Sequence, residues 1–185
     1  MTDGEVPTDG VRLTYLSDLA RTFRHYKALG DGAIAQVSDD NLHALIDPDA
    51  NSVAIVMQHV AGNLRSRFTE FLTSDGEKPG RNRDAEFETP AHPSRAELLA
   101  SWSEGFRIAL ASIEALQPED LDRTVYVRKE AFLVVEALNR SVSHTAYHVG
   151  QMVFLAKHFA GPHWTTLSIP KGKSAEARGQ YKKIG

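Results

Sequence analysis

Apolar residues recur every three or four positions through four long stretches of this chain, and almost nowhere do they alternate. That period is the mark of amphipathic helices, each with one stripe to bury. In the first stretch, Val11 to Val37, the stripe is Leu13, Leu16, Leu19, Phe23, Tyr26 and Leu29, with a kink or break expected at Gly30-Asp31-Gly32. Ser38 then reads as the N-cap of a short helical piece through Leu42, Leu45 and Ile46, closed at Asp47-Pro48. The second stretch starts after Asn51-Ser52 and runs to Thr73, carrying Val53, Val56, Met57, Val60, Leu64, Phe68 and Phe71.

The third is opened by Ser94 and Glu97, spaced as a capping box, and reaches Gln117 before Pro118 stops it. Its stripe is Leu98, Trp102, Phe106, Ala109, Ile113 and Leu116. Two β-prone runs follow, Thr124–Arg128 and Ala131–Val134, separated by Lys129-Glu130, which predicts a small hairpin. The fourth stretch runs from Val135 to Phe159 and ends at Gly161-Pro162. Four long helices with one stripe each and almost no strand make an all-α chain: a four-helix bundle with a small β-hairpin before the last helix. At 185 residues the chain suits one domain, with a loose acidic tail over 1–10, the bundle over 11–170 and a basic tail over 171–185. Residues 74–93 form a polar connection longer than most loops, either functional or wrapped over the surface.

Several function classes fall away on composition. There is no cysteine, which removes disulfides, thiolate metal sites and a cysteine nucleophile. The formal charge of −3 gives no reason to expect a nucleic-acid partner. No apolar run is long enough to span a membrane, and the polar start does not read as a secretion signal, so the expected compartment is the cytoplasm.

Chemistry concentrates on histidine, of which there are 8. His144 and His148 are four residues apart on the fourth helix, so they point the same way one turn apart and can reach one metal ion. Measured from that helix's apolar stripe, His148 lies roughly 80° and His144 roughly 120° off centre, flanking the core. Arg140 and Gln151 share their side. On the second helix His59 lies roughly 100° off its stripe, with Asn63 and Glu70 beside it. If those edges adjoin, three imidazoles converge and leave an open position, the pattern of a catalytic metal site. The bland alternatives are a half-buried coincidence for the pair and a core-edge histidine for His59. His25, His43, His92, His158 and His163 read as solvated. Arg140 could hold a substrate carboxylate or phosphate, or pair with Glu136 four residues earlier. Gln151 or Asn63 could orient a ligand.

The histidine of MQHVAGNLRSRFTEFL together with HTAYHVGQMVFLAKH resembles the DinB-like (YfiT-like) superfamily. The segments HVAGNLRSRFTEFLTSDGEKPGRNRDAEFE and EALNRSVSHTAYHVGQMVFLAKH and the tail WTTLSIPKGKS resemble, more narrowly, a bacterial branch of it. The resemblance covers about residues 11–175. It implies a four-helix bundle that binds a divalent metal, nickel or zinc foremost, through His59, His144 and His148, and it implies a homodimer. Relatives include mycothiol- and bacillithiol-dependent transferases and a maleylpyruvate isomerase. Gly80 stands where the resemblance implies a tryptophan, either opening the pocket rim or loosening the loop.

The expected function is therefore a metal-dependent enzyme, a thiol S-transferase or a hydrolase, acting on a small molecule. In the transferase reading, which the resemblance implies, a low-molecular-weight thiol would be the cosubstrate; the absence of cysteine fits that reading and others equally. The charges of loop 74–93, from Asp75, Glu77, Arg81, Asn82, Arg83 and Asp84, either cover the site as a lid or pair as a solvated surface. Glu70, about three turns from His59, is too far along the axis to serve as its base. The competing readings are a metal- or ligand-binding sensor without turnover, and a plain dimeric bundle that picks up metal adventitiously.

Overall fold

The structure, a computed structural model, describes residues 8–88 and 92–176. It is mostly helical. Five helices, α1 (Thr8–Ile34), α2 (Asp39–Leu42), α3 (Val53–Phe68), α4 (Arg95–Ala115) and α5 (Val134–Ala160), are joined by loops and one hairpin of β1 (Thr124–Val127) and β2 (Glu130–Leu133). Of the two expected tails, 1–7 and 177–185 lie outside the described residues. Residues 8–10 already belong to α1.

Each long helix packs on two others: α1 on α4 and α5, and α3 on α4 and α5. Their stripes meet in one core around Phe23, Met57, Leu64, Trp102, Phe106, Leu138 and Met152, all fully buried. Among the described residues no helix is long and apolar enough to cross a membrane.

The expected break in α1 does not occur. Trp102 packs its indole against Gly30 so closely that any Cβ there would overlap the ring, and its Nε1–H donates to Asp31 Oδ1 at 2.8 Å. Gly30 therefore serves close helix packing, and the helix runs through it. Leu13, assigned to the stripe, is 55% exposed. The short helix after the Ser38 N-cap ends at Leu42, and Leu45 and Ile46 are exposed beyond it.

α3 ends five residues before the expected Thr73. Glu70 takes φ 50, and its carbonyl accepts from the N–H groups of Thr73 and Ser74, closing a turn that still buries Phe71. The capping box that starts α4 forms as expected, Ser94 and Glu97 each satisfying the other's backbone N–H.

The hairpin turn falls at Arg128-Lys129, one residue earlier than expected, with Val127 opposite Glu130. Both turn residues have positive φ, 56 and 65, a conformation that favours glycine or asparagine. The Asp75 carboxylate compensates by accepting the N–H of Arg128 at 2.9 Å and of Lys129 at 2.8 Å.

Candidate metal centre

α3 and α5 lie side by side, so the histidine at the middle of one faces the pair at the middle of the other. His59, His144 and His148 each present one ring nitrogen, and those nitrogens all lie within 4.8 Å of one another. The closest approach is His59 Nε2 to His144 Nε2 at 3.1 Å. Ring centroids stand 4.7 Å apart for His59 and His148 and 4.5 Å apart for His144 and His148. The three residues are thus brought together as the spacing required.

Their burial departs from the helical-wheel expectation. His59 and His148 are 3% and 8% exposed, not at the edge of the buried face. A further layer covers them: residues 76–86, after α3, fold back over the α3–α5 seam and are tied down at several points. Ser66 Oγ on α3 donates to the Gly76 carbonyl at 2.7 Å, and Gly76 N–H donates to the Tyr126 carbonyl of β1 at 2.7 Å. Glu77 accepts from Arg67 of α3 at 3.2 Å and from Arg128 at 2.9 Å. A short 3-10 turn, Asp84–Glu86, then delivers Glu86 to the histidines. Asp75 and Glu77 bind the segment to the helix and the hairpin, and Arg81 holds Glu86, while Arg83 and Asp84 stay exposed to solvent.

Glu86 is the functional residue that helix periodicity could not find. Its Oε2 accepts from His59 Nδ1 at 2.9 Å, and both its oxygens accept from Arg81 at 2.8 Å. Burial alone would raise the Glu86 carboxyl pKa. The hydrogen bonds from His59 and Arg81, with the Arg81 charge, outweigh that and hold it below its ordinary value. Room for the carboxylate is made by Gly62, one turn after His59, where a Cβ would come 2.9 Å from Glu86 Cδ and closer still to Oε1. The only sequence signal was the DAEFE run, which stands among the segments that carry the family resemblance.

These contacts settle which nitrogens are free. An ionised Glu86 can only accept, so His59 carries a proton on Nδ1 and turns Nε2 toward the other two histidines. His148 Nδ1 lies 2.8 Å from Gln151 Oε1, also an acceptor, which likewise frees Nε2. His144 is held neutral. Burial, then the nearby charges of His148 and His59, lower its pKa to about 3. Burial also lowers that of His148. Protein atoms alone do not satisfy His144. If its Nε2–H donates to His59, its buried Nδ1 is left with no partner; if the proton sits on Nδ1, two lone pairs oppose each other across 3.1 Å. Three imidazole nitrogens converging on one point, two of the rings oriented by an outer carboxylate and an amide, suit a divalent cation.

Above the histidines opens a cleft of about 900 Å³, room for a small molecule and more. Asn63, Arg140 and Gln151 all line it. Gln151 acts as a positioning residue through His148, while Asn63 stands one turn beyond His59. Arg140 does not pair with Glu136. That carboxylate instead accepts the Leu133 backbone N–H at 2.7 Å and caps the start of α5, leaving Arg140 stacked on the Phe132 ring. Gly80 has open space where a side chain would go. Of the other histidines, His25, His92, His158 and His163 are exposed. His43 is half-buried against the Pro93 carbonyl at 3.1 Å, so it is not solvated as expected.

A sequence profile of a family described as "Protein of unknown function (DUF1572)" matches residues 11–173. No curated protein and no solved structure matches the chain.

Proposed function

The chain belongs to the DUF1572 family, and on that premise we propose that it is a divalent-metal-dependent enzyme of the DinB-like kind. In this reading the four long helices are a four-helix bundle of that superfamily. His59, His144 and His148 hold nickel or zinc, and the reaction is transfer of a low-molecular-weight thiol to a small molecule. The observation that carries the proposal is the convergence of three imidazoles, with ligand atoms within 4.8 Å of one another, beside a cleft of about 900 Å³.

A divalent ion bound by neutral ligands keeps its full charge and lowers the pKa of a coordinated thiol or water. Around it the protein's own groups position and exclude. Glu86 and Gln151 fix the ring orientation of His59 and His148, and Phe87 and Tyr147 pack against those two rings. In the transfer, the cosubstrate's sulfur gives up its proton and forms a bond to an electrophilic carbon. The bond from that carbon to its leaving group breaks with the electron pair.

Hydrolysis is less well supported. It needs a free base beside the site, and Glu86 is already held by His59 and Arg81, while Glu70 lies beyond the end of α3. The thiol cosubstrate and a homodimer enter this reading through the family resemblance. The alternative is a metal- or ligand-binding bundle without turnover.

The test is elemental analysis of tag-free protein, wild type against His148→Ala. The proposal expects near one equivalent of nickel or zinc in the wild type and a clear loss in the variant. No metal in either, with melting unchanged by added zinc or nickel, sinks it.

A further inference from the structure

We propose that the cleft over the histidines is an oxyanion site: it binds a small organic anion by its carboxylate or phosphate group, with Arg140 as the principal contact and Arg83 as the second. This deepens the metalloenzyme reading, resting on it only for what meets the far end of the bound anion.

The charge of the cleft comes first. Five guanidinium groups line it, against the single carboxylate of Glu136. Three of the five are already used. Arg67 and Arg128 bond to Glu77, and Arg81 holds Glu86 through two parallel hydrogen bonds. Those three fasten the covering segment to the rest of the fold.

Arg140 and Arg83 are placed differently. The Arg140 guanidinium lies over the face of Phe132, 5.1 Å from its centroid, and has no carboxylate partner among the described residues. The one acid spaced to pair with it, Glu136, is committed to the Leu133 N–H. Arg83 lies over Phe87 at 4.9 Å. Its nearest acid is the adjacent Asp84 at 3.5 Å, itself 88% exposed, a contact that solvent screens to little.

Stacking on a ring face leaves the in-plane N–H edge of a guanidinium free while restricting its rotation. A planar fork of donors held ready in this way matches a carboxylate or phosphate bidentately. Both arginines also flank the histidines. Arg140 precedes His144 by one turn of α5, about 6 Å along the axis. Phe87, under Arg83, packs on His59 at 4.7 Å between centroids. An anion gripped there places the remainder of a small molecule within reach of the three imidazoles. A divalent ion would add to the same positive field.

The test uses the full chain with chelator present throughout, so that anion binding and metal binding are read separately. Phosphate, succinate and the neutral succinamide are titrated at low salt by calorimetry, into wild type, Arg140→Gln and Arg83→Gln/Arg140→Gln. Phosphate, succinate or both are expected to bind the wild type, and the tighter of the two identifies the group preferred. Arg140→Gln should weaken binding about tenfold, the loss of a bidentate charge-assisted contact, and the double variant should abolish it. Succinamide should not bind. Arg140 is exposed, and an unchanged melting curve shows that its variant is folded. The proposal is overturned if no anion binds the wild type, if Arg140→Gln binds equally well, or if the diamide competes. Should the wild type hold no metal while anion binding still depends on Arg140, the metal reading falls and this one stands.

Discussion

Removing the Glu86 carboxylate would take the acceptor from the Nδ1–H of His59 and leave the Arg81 guanidinium, whose side chain is only 6% exposed, with a longer contact to Glu77 at 3.5 Å alone. A poorly compensated buried charge is expensive, so Glu86→Ala should cost about 3 kcal/mol of stability, measured by chemical denaturation with chelator present. Glu86→Gln keeps the shape and one acceptor. It should retain most of that stability and lose about tenfold in zinc affinity, read by competition with a chelating dye. Gly62→Ala separates local preference from site geometry. Helix propensity alone expects a gain of about 1 kcal/mol from replacing glycine inside α3. The added methyl would instead displace the Glu86 carboxylate, so the variant should show no such gain and should bind zinc more weakly.

Among the elements, the hairpin turn sets two adjacent residues at positive φ beside the carboxylate that compensates them. Lys129→Gly keeps the N–H that Asp75 accepts and removes the cost of φ 65, so it should raise stability by about 1 kcal/mol. Asp75→Ala should lower stability by about 1 kcal/mol at pH 7, as losing a helix cap does. That difference depends on pH. The backbone N–H of Glu77 first, then those of Lys129 and Arg128, hold the Asp75 pKa below 3.8, against some opposition from burial. A carboxyl lowered in the folded state stabilises at pH above its unfolded value, and its contribution is lost as pH falls through the folded one. The gap between wild type and Asp75→Ala should therefore persist at pH 5 and close on acidification below 3.8.

Periodicity found the long helices, the α4 cap and the hairpin because each is written in short-range spacing. It placed the end of α3 five residues late because Thr69 turns extended and Glu70 left-handed, breaking the helix while the apolar pattern runs on past them to Phe71. It put His59 and His148 at an edge because a helical wheel knows only helices, and what buries them is the irregular segment running from Gly76 to Glu86.

At the scale of the whole molecule, ligands that bind only the folded chain stabilise it. Zinc or nickel at about a hundred times its dissociation constant should add about 2.7 kcal/mol, or roughly 5–10 °C in Tm for a chain of this length. Differential scanning fluorimetry of wild type with and without metal reads this shift directly. The His59→Ala/His144→Ala/His148→Ala variant should melt at one temperature in both conditions. The three histidines come from distant parts of the chain, His59 and His144 being 85 residues apart. During synthesis at about 5–20 residues per second, His59 therefore leaves the ribosome about 4–17 s before His144. Its partners in that interval are local: Glu86, Arg81 and Gly62 are made well before α5, so the carboxylate that orients the first imidazole is in place before the other two exist. A metal held by all three histidines could load only after α5 is made, into a socket already half built, and could not be the seed around which the helices first gather.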